Sequence, residues 1–148
     1  SSFEWAWAVS PWSAAALGDP IANIETPALL LDLDAFERNL QRMVEALKGS
    51  GMRLRAHAKS HKCPEIALRQ VAMGAVGICC QKVSEAAVFV NAGIQDVLVS
   101  NQIASRATAR HLANLAHKSL IGVLVDDIQQ VLWLQVAFLS TARKSVPA

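Results

Sequence analysis

From Thr26 onward the chain alternates short apolar, β-prone runs with longer segments of helical period, and few folds accommodate that pattern. A strand that hands over to a helix before the next strand pairs with it in parallel, through a crossover connection. Five strands are expected, over residues 28–33, 53–58, 76–80, 97–100 and 120–125. The intervening helices carry start and stop signals. Asp34 is expected to cap the first, whose apolar stripe is Phe36, Leu40, Met43, Val44 and Leu47, with Gly51 beyond its end. The second opens at Pro64, a residue favoured in a first helical turn, and reaches Gly74. The third covers 84–92 before Gly93, and the fourth covers 105–117. A fifth begins after Asp127 and gives way at Ser140 to a frayed tail.

A strand-to-strand spacing of roughly 21 to 24 residues suits a (β/α)8 barrel, which takes about 250 residues in all. At 148 residues the chain has room for about four to five βα units. The expected fold is therefore α/β, a partial TIM-type barrel with an open sheet edge and an uncovered apolar face. An N-terminal extension over 1–25, the partial barrel over 26–131 and a divergent tail over 132–148 make up the expected organisation. The chain starts at Ser1 rather than Met and is expected to be a fragment of a longer protein.

With 53% hydrophobic and 18% charged residues, there is enough apolar material for one sizeable core. A net charge of +2 with dispersed Lys and Arg argues against nucleic acid or an anionic membrane as partner and leaves small molecules. No apolar run reaches the roughly 18 residues of a membrane span. The apolar stretch over 3–17 holds three of the four Trp, yet lacks the preceding Lys or Arg of a signal peptide. Cys63, Cys79 and Cys80 are odd in number, and the adjacent pair would face opposite ways in a strand. A disulfide framework is not expected; a reducing cytoplasm is.

Residues 52–65 carry most of the chemistry. Strict alternation puts Met52, Leu54, Ala56 and Ala58 on one face of a strand and Arg53, Arg55, His57 and Lys59 on the other. A solvated basic face on an edge strand would explain this. So would a functional rim, because Lys59 falls at the carboxyl end of the strand, where barrel enzymes place their chemistry. A lysine amine must be neutral to attack an aldehyde, and at an ordinary pKa of about 10.4 only about one in two thousand is neutral at pH 7. Cationic neighbours such as Arg55, His57 or Lys62, with partial burial, favour the neutral amine. With no carboxylate on that face of the strand, the pattern suits a Schiff-base lysine better than a salt-bridged one.

His57, His61, Cys63, Cys79 and Cys80 invite a metal-site interpretation, but their spacing matches none of the usual zinc patterns, and no metal site is expected in this chain. Gln81 and Lys82 follow the third strand and Asn101 the fourth. A functional role on the rim and a plain loop role are both open for them.

Several stretches together resemble the D-threonine aldolase and D-serine dehydratase-like family of fold-type III pyridoxal-phosphate enzymes. They are 18–20 (GDP), 26–28 (TPA), 31–33 (LDL), 57–65 (HAKSHKCPE) and 78–86 (ICCQKVSEA), followed by 92–94, 99–101 and 125–127. The resemblance covers about residues 18 to 130 and implies an alanine-racemase-like barrel. It makes Lys59 the lysine that holds pyridoxal phosphate covalently, with His57 and Gln81 near the ring. The implied reaction is cleavage of a D-3-hydroxy amino acid, D-threonine giving glycine and acetaldehyde, with a divalent metal, Mn or Mg, in full-length relatives. D-Serine dehydratase or 3-hydroxy-D-aspartate aldolase chemistry is the alternative within the group. A non-catalytic pyridoxal-phosphate-binding protein, pairing with another copy or chain through its open edge, is the alternative outside it. The family's phosphate-binding loops, metal ligands and C-terminal β-domain come after the region present here.

Overall fold

A computed structural model describes residues 15, 16 and 18–142, so most of the Trp-rich stretch lies outside the described residues. The chain divides into two compact units, residues 1–36 and 37–148.

In the first unit a 3-10 turn, Ile21–Asn23, precedes an extended run that leads into α1 (Leu33–Leu47). The strand expected over 28–33 is not formed. Residues 28–32 pair with no strand among the described residues, and Leu29, Leu30 and Leu31 are exposed. Apolar content does not make a strand; hydrogen bonds from a neighbouring strand do. The helix start moves accordingly. Asp32 rather than Asp34 is its cap, with Oδ1 accepting from the Ala35 N–H at 2.8 Å. Asp34 instead sits in the first turn, where a carboxylate favours the helix dipole. The helix forms, yet its apolar stripe contributes no buried residue.

The second unit is a run of βα repeats: β1 (Arg55–His57), α2 (Pro64–Ala72), β2 (Gly77–Cys80), α3 (Val83–Asn91), β3 (Asp96–Gln102), α4 (Arg106–Leu115), β4 (Leu120–Leu124) and α5 (Ile128–Ala142). The four strands are parallel and lie in the order β1-β2-β3-β4. A doubly wound sheet would reverse direction at a switch point; consecutive neighbours are the arrangement of a barrel wall.

Alternation along the strands sorts side chains to two faces. Ile78, Cys80, Val97 and Val99 point to the helices and form the core with Ala67, Ala86, Phe89, Ala109 and Leu112. Three alanines in that set let the helices approach the sheet closely. The other face carries Arg55, His57, Gly77, Cys79, Asp96, Leu98 and Ser100 by the same parity. Among the described residues its far edge is open, with Leu120 and Leu124 exposed.

Local signals set the helix ends. The Ser105 hydroxyl accepts from the Thr108 N–H at 3.2 Å and caps α4. At the other end of the chain, Ser140 and Thr141 are helical rather than frayed. Their hydroxyls donate to the Ala137 and Phe138 carbonyls, which lets polar residues continue the helix to Ala142.

Candidate active site at the carboxyl ends of the strands

β1 ends at His57, and the chain turns through residues 58–61 before α2, so Lys59 stands in the turn at the carboxyl end of the sheet. Its side chain is exposed rather than partly buried, and among the described residues it makes no ion pair. Its backbone N–H donates to Nδ1 of His57 at 3.2 Å. The opposite ring nitrogen, Nε2, lies 3.3 Å from the Ser100 hydroxyl on β3. Ser100 in turn donates to the Cys80 carbonyl at 3.1 Å. His57 is thereby held from both sides, and the ends of β1, β2 and β3 are tied together beside the lysine.

The four basic residues of the expected strand face have different fates. Arg53 lies before β1 and is exposed. Arg55 crosses β2 and grips Asp96 of β3, with Nη1–Oδ1 at 2.8 Å and Nη2–Oδ2 at 2.7 Å. That fork-to-fork pair raises the guanidinium pKa, so Arg55 stays charged while its charge is matched. Passage over β2 is open because residue 77 is glycine: a Cβ there would come within 2.8 Å of Nη1 and would strike the Asp96 carbonyl oxygen. The face that lacks a carboxylate along one strand gains one from two strands away.

Lys62, the third cation expected to act on Lys59, is also neutralised. Its ammonium is 3.2 Å from Glu85 Oε1, and Glu85 Oε2 accepts from the Gln81 N–H at 2.9 Å. Burial pushes the Glu85 carboxyl up, but the Gln81 N–H and the Lys62 ammonium outweigh it and hold the group below its ordinary value. Glu85 is the third residue of α3, so one carboxylate clasps the β1–α2 loop to the β2–α3 loop and caps a helix start. Of the three expected neighbours, His57 is the one that contacts Lys59 directly, and it does so by accepting from the Lys59 backbone N–H.

His61 and the cysteines serve the loop and the core. The His61 Nδ1 accepts from the Cys63 N–H at 3.0 Å, and its ring meets Phe89 edge-on at 6.4 Å between centroids. Its Nε2 and the Gln70 Oε1 are buried without a well-formed partner, close enough for Gln70 to favour the protonated ring, but desolvation dominates and lowers the pKa. Burial, with the charge of Glu85, pushes the Cys80 thiol up to about 12, which keeps it protonated. Among the described residues no group of three His, Cys, Asp or Glu side chains could hold a metal ion.

Gln81 and Asn101 border a cavity of about 360 Å³ with Lys82, Thr108 and His111, and neither His57 nor Lys59 is in its lining. Sequence reasoning missed Asp96, Ser100 and Glu85. For Glu85 a signal existed, an acidic residue three positions after the residue that precedes α3, as in a capping box. For Asp96 and Ser100 strand parity was the only clue, and parity names no partner.

A consecutive parallel βα sheet of this kind is the wall of a (β/α) barrel domain. The alanine racemase N-terminal domain family matches residues 31–145, and the chain belongs to that family. Within it, a D-threonine aldolase from an Arthrobacter species is 54% identical over 110 residues, 74% of this chain and 29% of that protein. A 3-hydroxy-D-aspartate aldolase from Paracoccus denitrificans is 45% identical over 118 residues, 78% of this chain and 30% of that one. The crystal structure of D-threonine aldolase from Filomicrobium marinum superposes with a TM-score of 0.84 at 56% identity, covering 88% of this chain and 35% of that one. The chain thus spans about a third or less of the relatives it matches. No helix among the described residues is long and apolar enough to cross a membrane.

Proposed function

We propose that the chain is the pyridoxal-phosphate-binding part of a lyase that cleaves D-3-hydroxy amino acids, D-threonine to glycine and acetaldehyde, with Lys59 as the residue that holds the cofactor. The observation that carries this is Lys59 itself, an exposed primary amine at the carboxyl end of β1, without an ion-pair partner among the described residues, on a residue whose backbone N–H is held by His57. An exposed amine with no ion-pair partner among the described residues, on a turn whose backbone is fixed to an imidazole, fits an aldehyde cofactor bound through nitrogen. When bound, pyridoxal phosphate supplies an electron sink for the bond being broken.

The chain's own residues bind and orient. Lys59 supplies the amine, and His57 holds one side of the site in a set position. Gln81 lies near the cofactor ring in this reading, its loop held to that of Lys59 through Glu85. Residues 26–131 make up the partial barrel, 1–25 an extension and 132–148 a divergent tail. A divalent metal belongs to full-length relatives in this reading. Free Cys63, Cys79 and Cys80 support a cytoplasmic setting. The likeness to D-threonine aldolase supports D-threonine as substrate, with D-serine dehydration or 3-hydroxy-D-aspartate cleavage the alternatives within the group.

The test is to incubate the chain with pyridoxal phosphate, reduce with borohydride and map the modified peptides, with Lys59→Ala as control. One adduct at Lys59, lost in the variant, is expected. Labelling scattered over many lysines, or none at Lys59, would sink the proposal.

A further inference from the structure

We infer that Ser100 sets the tautomer of His57, holding its neutral ring with the proton on Nε2 and the lone pair of Nδ1 turned to Lys59, and is thereby a positioning residue for this site. Its role in the reaction rests on the proposal for Lys59; the tautomer itself does not.

Two constraints reach the same assignment from opposite sides of the ring. A serine hydroxyl has one proton to give, and a backbone carbonyl can only accept. Ser100 Oγ lies 3.1 Å from the Cys80 oxygen, so its proton goes there. Toward His57, 3.3 Å away, the hydroxyl is then left as an acceptor, and Nε2 must carry the hydrogen. On the other side Nδ1 faces the Lys59 backbone nitrogen at 3.2 Å. An amide N–H can only donate, so Nδ1 keeps its lone pair.

The result is a directed chain of hydrogen bonds: Lys59 N–H to His57 Nδ1, His57 Nε2–H to Ser100 Oγ, Ser100 O–H to the Cys80 carbonyl. It starts on the residue proposed to hold the cofactor and ends on the backbone of β2. Turning the ring over would replace both nitrogen contacts by carbon, so the same pair of partners that selects the tautomer also selects the ring orientation. Alanine at 100 removes one of the two partners and leaves the other intact. Threonine keeps the hydroxyl.

The experiment is long-range proton–nitrogen correlation spectroscopy on the full chain with 15N-labelled histidine, in the wild type, Ser100→Ala and Ser100→Thr. His57→Gln assigns the His57 signals, and circular dichroism checks that each variant folds. The wild-type His57 is expected to show the Nε2–H pattern. In Ser100→Ala the ratio of Nε2–H to Nδ1–H forms should fall about fivefold, the effect of one hydrogen bond, and Ser100→Thr should restore it. An Nδ1–H pattern in the wild type, or an unchanged ratio in Ser100→Ala, would overturn the inference. Borohydride mapping on the same samples reads the site proposal separately. If the tautomer follows Ser100 while Lys59 takes no label, the proposed function fails and the placement of His57 by Ser100 stands.

Discussion

Arg55 reaches Asp96 across an intervening strand, with two parallel hydrogen bonds of 2.8 and 2.7 Å, and the position it passes over is Gly77. Glycine there is a matter of space: no Cβ fits between the guanidinium and the Asp96 carbonyl. Gly77→Ala should therefore destabilise the chain by about 1–3 kcal/mol, the usual cost of overpacking. Urea unfolding followed by circular dichroism measures it, and a midpoint equal to that of the wild type would show that the sheet yields without cost.

Glu85 joins the two loops of the candidate site, and Glu85→Gln should weaken both the helix start and the Lys62 contact, costing about 1 kcal/mol at pH 7. The pH dependence has a definite sign. Because the folded-state pKa lies below the ordinary 4.5, the contribution is fully present above 4.5 and is lost as pH falls through the folded value. The wild type's advantage over Glu85→Gln, measured by unfolding at several pH values, is expected to vanish in acid. An advantage that persists unchanged to pH 2 would contradict it.

His61 gives a second pH signature, nearer neutrality. Desolvation holds its pKa below the ordinary 6.5, so its contribution is complete above 6.5 and lost as pH falls through the folded-state value. His61→Asn keeps an acceptor for the Cys63 N–H and removes the titration. Thermal melts between pH 5 and 8 should lose stability toward acid more steeply in the wild type than in this variant; parallel curves would rule the effect out.

Phe89 is 1% exposed and packs α3 into the core, whereas Leu29 is fully exposed. Phe89→Ala should cost about 3–5 kcal/mol. Leu29→Ala should change stability by less than about 0.5 kcal/mol. Equal effects from the two, in denaturant titrations, would mean that the apolar run over 28–33 is packed like a core strand after all.

Much of this architecture was legible in the order of the residues. Four of the five expected strands formed within a few residues of their expected bounds, because apolar alternation and helix signals such as Pro64 and Ser105 act locally. The run over 28–33 misled for a related reason: an apolar segment announces burial without saying what pairs with it. Asp32, two residues ahead of the expected cap, then took the helix start.

For the candidate site, sequence alone determined that Lys59 follows a strand and precedes a helix opened by Pro64, which is enough to place it on the rim of a βα sheet. Its alternation also predicted a shared face for His57 and Lys59, but β1 ends at His57 and Lys59 lies in the turn beyond, meeting the ring through its backbone N–H. Only the tertiary structure decided the partners: Asp96 is 41 residues from Arg55, and Ser100 is 43 residues from His57. Strand parity tells a residue which side it faces, but the neighbour it meets there depends on sheet order and register, and those are set by hydrogen bonds between segments far apart in the chain.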